Sequence, residues 1–229
     1  MVDEIAGSEK GMSAGAQVVA AVVVVGGLLG ALWGVGDLVG KPYDPDKPAT
    51  CSPSHSAPPT SQIVTGAQMC AALNRPDLPA LLGTPDEHAV NAWGNDGAIE
   101  HADGTKTATP GAEVGLKSHH VKLSSSYDRF PVAQLAELLG TTVQKQTVLG
   151  HPAFFSSDRT LALTFNAGGK SSSQPGVMAR SLLVAKDAKD GGGSYELVVW
   201  RPDGMLPDDA TLTRIAEQVL PTVPGWSAS

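Results

Sequence analysis

The chain has 229 residues, 41% hydrophobic and 17% charged, with net charge −7, which places it in the globular class rather than the disordered one. Lys10 is the only base before Lys41, and Asp3, Glu4, Glu9 and Asp37 are the only acids. The remainder therefore carries 15 basic and 19 acidic residues, near −4. With no run of Lys or Arg, nucleic acid and polybasic lipid recognition are both disfavoured as partners.

Gly11 to Gly36 contains no charged residue, and its centre reads Val22-Val23-Val24-Val25-Gly26-Gly27-Leu28-Leu29. A spanning helix needs roughly 20 apolar residues, so the pattern predicts a short tail (1–13) and a transmembrane helix (14–36) whose partner is the lipid bilayer. Trp33 suits the interface. Gly26 and Gly30 have small-xxx-small spacing, although ordinary membrane-helix composition explains them as well. A cleavable signal peptide is the alternative. It is the weaker one, because Gly34-Val35-Gly36 makes a poor cleavage site and the n-region holds Lys10 against three acids. Cys51 follows Pro48-Ala49-Thr50 well past the apolar run, so no lipobox forms. Lys10 on one side against Lys41 and Lys47 on the other leaves the charge rule equivocal.

Pro42, Pro45, Pro48, Pro53, Pro58 and Pro59 punctuate the next stretch, which reads as a semi-extended linker over 37–62. The chain has two cysteines, Cys51 and Cys70, and they predict one disulfide tying the linker to the domain. Such a bridge belongs to an oxidising compartment and places the domain, 63–226, outside the cytoplasm. The charge count does not settle that orientation.

Thr65-Gly66-Ala67-Gln68 is a capping box with Val64 placed to staple onto Met69, and the helix it starts ends near Asn74-Arg75-Pro76. Pro79 to Gly83 reads as a helical turn. Val114 and Leu116, then Val121 and Leu123, alternate about Ser118-His119-His120 as a hairpin. Pro131 to Leu139 carries Val132, Leu135, Ala136 and Leu139 at helical spacing, with Gly140 past its end. Five strand patterns follow. Thr142 to Leu149 reads as an edge, Ala153 to Ser156 as a short strand, and Leu161, Leu163 and Phe165 as one face of a third. Ala179 to Lys186 forms a hairpin with Tyr195 to Arg201. A last helix over Asp208 to Leu220 presents Leu212, Ile215, Ala216 and Val219. The expected class is α+β, an antiparallel sheet packed by about three helices.

Four phrases, Asn74-Arg75-Pro76-Asp77-Leu78-Pro79, Leu149-Gly150-His151-Pro152-Ala153, the run from Ala179 to Asp187, and Val219 to Trp226, resemble a family of actinobacterial single-pass membrane proteins. That family is known only as a domain of unknown function. The resemblance covers nearly the whole chain, implies an extracytoplasmic domain and brings no activity or site residues with it. A Cys-bearing first helix ahead of an antiparallel sheet also resembles small envelope domains with a Mog1/PsbP-like sandwich, a likeness of fold alone.

Chemistry is hard to find. Of the six histidines, His55, His88, His101, His119, His120 and His151, none makes an H-E-x-x-H motif or an i, i+4 pair. All read as surface turn residues, and no metal, cofactor or catalytic set is expected. Glu100, His101 and Asp103 read as a solvated turn. Gly168-Gly169-Lys170-Ser171 lacks phosphate-loop spacing and reads as a hairpin loop. Trp200 is the residue of interest. It shares a strand face with Glu196 and Val198, opposite Tyr195, Leu197 and Val199, and forms a binding patch if helices cover one face only. The reading is a membrane-tethered, non-enzymatic binding domain for an envelope protein or ligand. The alternative is an envelope hydrolase or other enzyme built around His101, His119 or His151.

Overall fold

The computed structural model describes residues 47–52, 63–165 and 171–227. The predicted membrane helix, the tail before it and most of the linker lie outside them. Among the described residues no helix is long and apolar enough to cross a membrane. The described chain builds one seven-stranded antiparallel sheet in the order β1-β2-β3-β7-β6-β5-β4.

Helix α1 (Gly66–Leu73) starts where its capping box requires. Thr65 Oγ1 accepts from Gln68 N–H at 3.1 Å and Gln68 Oε1 from Thr65 N–H at 2.9 Å. It lies on β1 (Asn91–Glu100) at backbone contact. A Cβ on Gly66 would stand 2.3 Å from the Asn95 backbone, and one on Gly94 would stand 2.1 Å from the Gly66 carbonyl. Only glycine pairs permit that approach. Asp96 then accepts from Gly66 N–H at 2.7 Å, satisfying an N-terminal donor of the helix.

Helix α2 (Leu78–Leu81) closes on Gly83 at φ 79°. Helix α4 (Asp209–Val219) is capped by Asp208, which accepts from Thr211 N–H at 2.7 Å, and buries Leu212, Ile215, Ala216 and Val219. These three helices share one core with the inward side chains of β2 (Lys106–Gly115), β3 (His120–Ser126) and β7 (Ser194–Trp200), among them Val114, Leu123 and Leu197. Helix α3 (Val132–Leu139) takes the opposite face. It forms a second cluster with Phe154 and Ala185 from β5 (His151–Phe165) and β6 (Ser171–Ala185). The antiparallel sheet stands as expected, with helices on both faces.

Four strands differ from the sequence reading, β2 among them, which begins at Lys106 rather than near Val114. β1 went unseen because Gly94, Asn95, Asp96 and Gly97 are poor strand formers. The two strands expected over Ala153–Ser156 and Leu161–Phe165 are one strand, β5, with a bulge between Arg159 and Leu161. β6 begins at Ser171 rather than Ala179, and β7 pairs with it only over Ala179–Ala185. β5 and β6 therefore run past the body of the sheet as a two-stranded arm. The expected edge is there, as β4 (Gln144–Val148).

Cys51 and Cys70 are bonded, with S–S 2.06 Å. Residues around the bridge lie against the domain: Ala49 N–H donates to Ala89 O at 2.8 Å, and Asn74 Nδ2 donates to Ala49 O at 2.9 Å. Ala49 and Cys51 pack on the main core.

Candidate functional site

Strand alternation turns Tyr195, Leu197 and Val199 into the main core and leaves Glu196, Val198 and Trp200 half-buried on the other face. Helix α3 covers that face only at the β5–β6 end, over Phe154 and Leu183. Beyond it runs a strip set by the register: Ser124 opposite Glu196, Lys122 opposite Val198, His120 opposite Trp200, and Glu113 opposite Lys122. Trp200 stacks on His120 with centroids 5.1 Å apart and planes 9° from parallel. His120 Nδ1 lies 3.3 Å from Glu113 Oε1. Glu196 accepts from Ser124 Oγ at 3.4 Å and Ser181 Oγ at 3.3 Å. Burial pushes the Glu196 carboxyl above its ordinary range, against the opposing pull of Lys122 and the two serines. The strip thus joins an aromatic pair to a carboxyl whose proton affinity burial raises.

The histidines do not converge. His101 is exposed on the β1–β2 turn, 2.8 Å from Thr107 Oγ1, beside the Glu100–Lys106 ion pair and an Asp103 that accepts from Thr105. That trio is the solvated turn its sequence implied. His119 lies at the opposite end of β2. It is buried rather than at the surface, 2.8 Å from Ser118 Oγ, and desolvation lowers its pKa. His151 is also buried, at 0% exposure. Its Nδ1–H donates to Ala185 O at 2.8 Å, and its ring stacks on Trp226 at 4.2 Å. The surface expectation fails for both because each ring is enclosed by the fold and keeps one backbone or hydroxyl partner. His55 and Gly168 to Lys170 lie outside the described residues. Among the described residues no group of three His, Cys, Asp or Glu side chains could hold a metal ion.

A second cluster escaped the sequence reading. One residue past β6, Lys186 continues the inward parity of Leu182 and Val184, and its Nζ lies 2.8 Å above the Tyr127 ring centroid and 5.3 Å from that of Tyr195. Tyr195 leans on Trp226 at 5.8 Å, and Ser227 Oγ donates to the Lys186 carbonyl at 3.1 Å. Burial lowers the Lys186 ammonium to a pKa of about 7, with Asp128 pulling the other way. Attraction of an ammonium to ring faces is worth about 2 kcal/mol when desolvated, roughly thirtyfold in proton affinity, and it offsets part of that desolvation. The alternation of β6 was the available signal. It was missed because a charged residue at a strand end normally marks the surface.

No curated protein and no solved structure matches the chain. The model of a family of unknown function, DUF6215, matches residues 9–142, more than half the chain, and the chain belongs to that family.

Proposed function

We propose that the protein is a single-pass membrane protein that presents an extracytoplasmic binding domain, with Trp200, Glu196 and Val198 on its recognition face. The observation that carries the reading is the strip beside α3. There a stacked His120–Trp200 pair and a desolvated Glu196 lie beside α3, on a part of the sheet that no helix among the described residues covers. Aromatic rings beside polar groups of fixed geometry are the composition of binding surfaces. The membrane assignment draws its support from the uncharged run at 11–36. The outside orientation draws on the Cys51–Cys70 bridge, which suits an oxidising compartment. One antiparallel sheet flanked by helices on both faces is consistent with the Mog1/PsbP-like sandwich, and the family match is consistent with the actinobacterial likeness.

The test is a photo-crosslinking residue placed at Val198 in the full chain within its native membranes, with the same residue at exposed Leu138 on α3 as control. Discrete adducts at 198 that disappear in Trp200→Ala are expected. Absence of adducts, or equal adducts from both positions, overturns the recognition face. An alkaline phosphatase reporter fused after Trp226 tests orientation, and an inactive fusion that is stably expressed overturns the outside assignment.

A further inference from the structure

We propose that the β5–β6 arm and the Met205–Leu206 loop lie against the lipid–water interface of the bilayer that anchors the chain, a proposal that rests on the single-pass reading above. One row of paired residues crosses the sheet at a single level: Asn91 with Gly115, Gly115 with His120, His120 with Trp200, Trp200 with Ala179, and Ala179 with Asp158. At this row β1, β2, β3 and β7 end. β5 and β6 alone continue, paired from Arg159 and Met178 to Phe165 and Ser171. At strand rise the arm projects roughly 20 Å beyond the row.

The tether enters at the same end. Ala49 N–H donates to Ala89 O at 2.8 Å and Ser52 N–H to Ala92 O at 3.3 Å, so residues 49–52 run alongside the start of β1 in the same direction. The chain therefore comes to the sheet from beyond the row, on the side from which the arm projects. Gly36, the end of the uncharged run, and Lys47 are eleven residues apart, a span of at most about 40 Å fully extended. The arm takes up about half of that reach.

The residues at that end suit a lipid surface. Thr160 to Gly169 and Ser171 to Ala179 carry no charge, and Leu161, Leu163, Phe165, Val177 and Met178 stand among them. A two-stranded ribbon is marginal in water without a surface to pack on, and among the described residues no third strand pairs with the arm. Met205 and Leu206 are 61% and 49% exposed, in the loop that leaves β7 past Trp200 at this same end. The sequence has no run of Lys or Arg, so the attraction is apolar rather than electrostatic. The tether also favours lipid over a second copy of the chain, because it holds this end at a high effective concentration beside the bilayer.

The test places the full chain, one copy per phosphatidylcholine nanodisc, with an environment-sensitive fluorophore on a single introduced cysteine and nitroxide lipids as quenchers. Cys51 and Cys70 are bonded and do not take the label. Ser173→Cys and Met205→Cys, both at exposed positions, report on the proposed contact. Lys189→Cys lies in the β6–β7 connection at the opposite end of the sheet and serves as control. Val23→Cys reports on the anchor. Lipid quenching of the Ser173→Cys and Met205→Cys labels at least about threefold above that of the control is expected. Quenching of the Val23→Cys label, with the other two no higher than the control, overturns the contact and leaves the anchor standing. No quenching of the Val23→Cys label overturns the anchored reading and the contact with it. A Ser173→Cys label shielded from aqueous iodide but not quenched by lipid gives the arm a protein partner instead, and equally overturns the proposal.

Discussion

Asp190 caps a helix that begins 58 residues earlier, its two carboxylate oxygens accepting from Val132 N–H and Ala133 N–H at 2.8 Å each. The residue in the N-cap position itself, Pro131, offers no side-chain acceptor. The β6–β7 connection supplies the cap from across the fold, and Asp190 sits at φ 54° to do so. Losing a cap costs about 1–2 kcal/mol, so Asp190→Ala should lower the melting temperature by about 3–6 °C. Asp190→Gly should cost less, because it relieves the left-handed backbone while losing the same bonds. Thermal unfolding of the three proteins checks the order.

Such caps explain what was and was not legible in the sequence. The capping box of α1, the stripe of α4 and the alternation of β7 are local patterns, and each element formed where its pattern predicted. Gly94 and Asp96 weaken the local strand signal of β1 because they serve α1, a partner some 30 residues away in sequence. Asp190 in a glycine-rich connection reads as loop until α3 docks on it. The face carrying Trp200 was readable from parity, but its strip beside α3 depends on where that helix lies. The parity of β6 pointed to Lys186, but its burial, like that of His151, is decided by Tyr127 and Trp226 from distant segments.

Cys51–Cys70 closes a loop of 19 residues. The chain-entropy model gives about 3 kcal/mol for a loop of that size. Reduction, or Cys51→Ser with Cys70→Ser, should therefore lower stability by about that amount and release Ala49 from its bond to Ala89. Denaturant unfolding with and without reductant measures it. An unchanged midpoint, or thiols that alkylate before reduction, would contradict the bridge.

Glu196 should cost the domain stability at neutral pH. Its folded pKa lies above the ordinary value of 4.5, so between those values the folded state keeps a proton that the unfolded state releases. Stability then falls as pH rises through 4.5 and is unpenalised below it. Glu196→Gln removes the charge yet still accepts from Ser124 and Ser181. It should stabilise the domain near pH 7, and the gain should vanish near pH 4. Paired melting curves at the two pH values decide the matter, and a gain of equal size at both would show that the charge is not the cause.

Arg180 and Asp209 form an asymmetric pair. Arg180 has 11% side-chain exposure and donates from Nε to Asp209 Oδ1 at 2.6 Å and from Nη2 to Oδ2 at 3.0 Å, whereas Asp209 is 41% exposed. Arg180 also donates to Ser157 and Gln144 and lies over the Phe155 ring. Removing the aspartate strands a buried guanidinium with neutral acceptors alone; removing the arginine returns a carboxylate to water. Asp209→Ala should therefore cost about 2–3 kcal/mol, short of a fully buried pair, and Arg180→Met about 1 kcal/mol, since methionine fills the space above Phe155. The double variant should resemble Arg180→Met alone, because with the guanidinium gone the aspartate has nothing left to neutralise. Chemical denaturation of all four proteins closes the cycle. If Asp209→Ala proves the milder single change, the penalty does not come from an uncompensated buried charge.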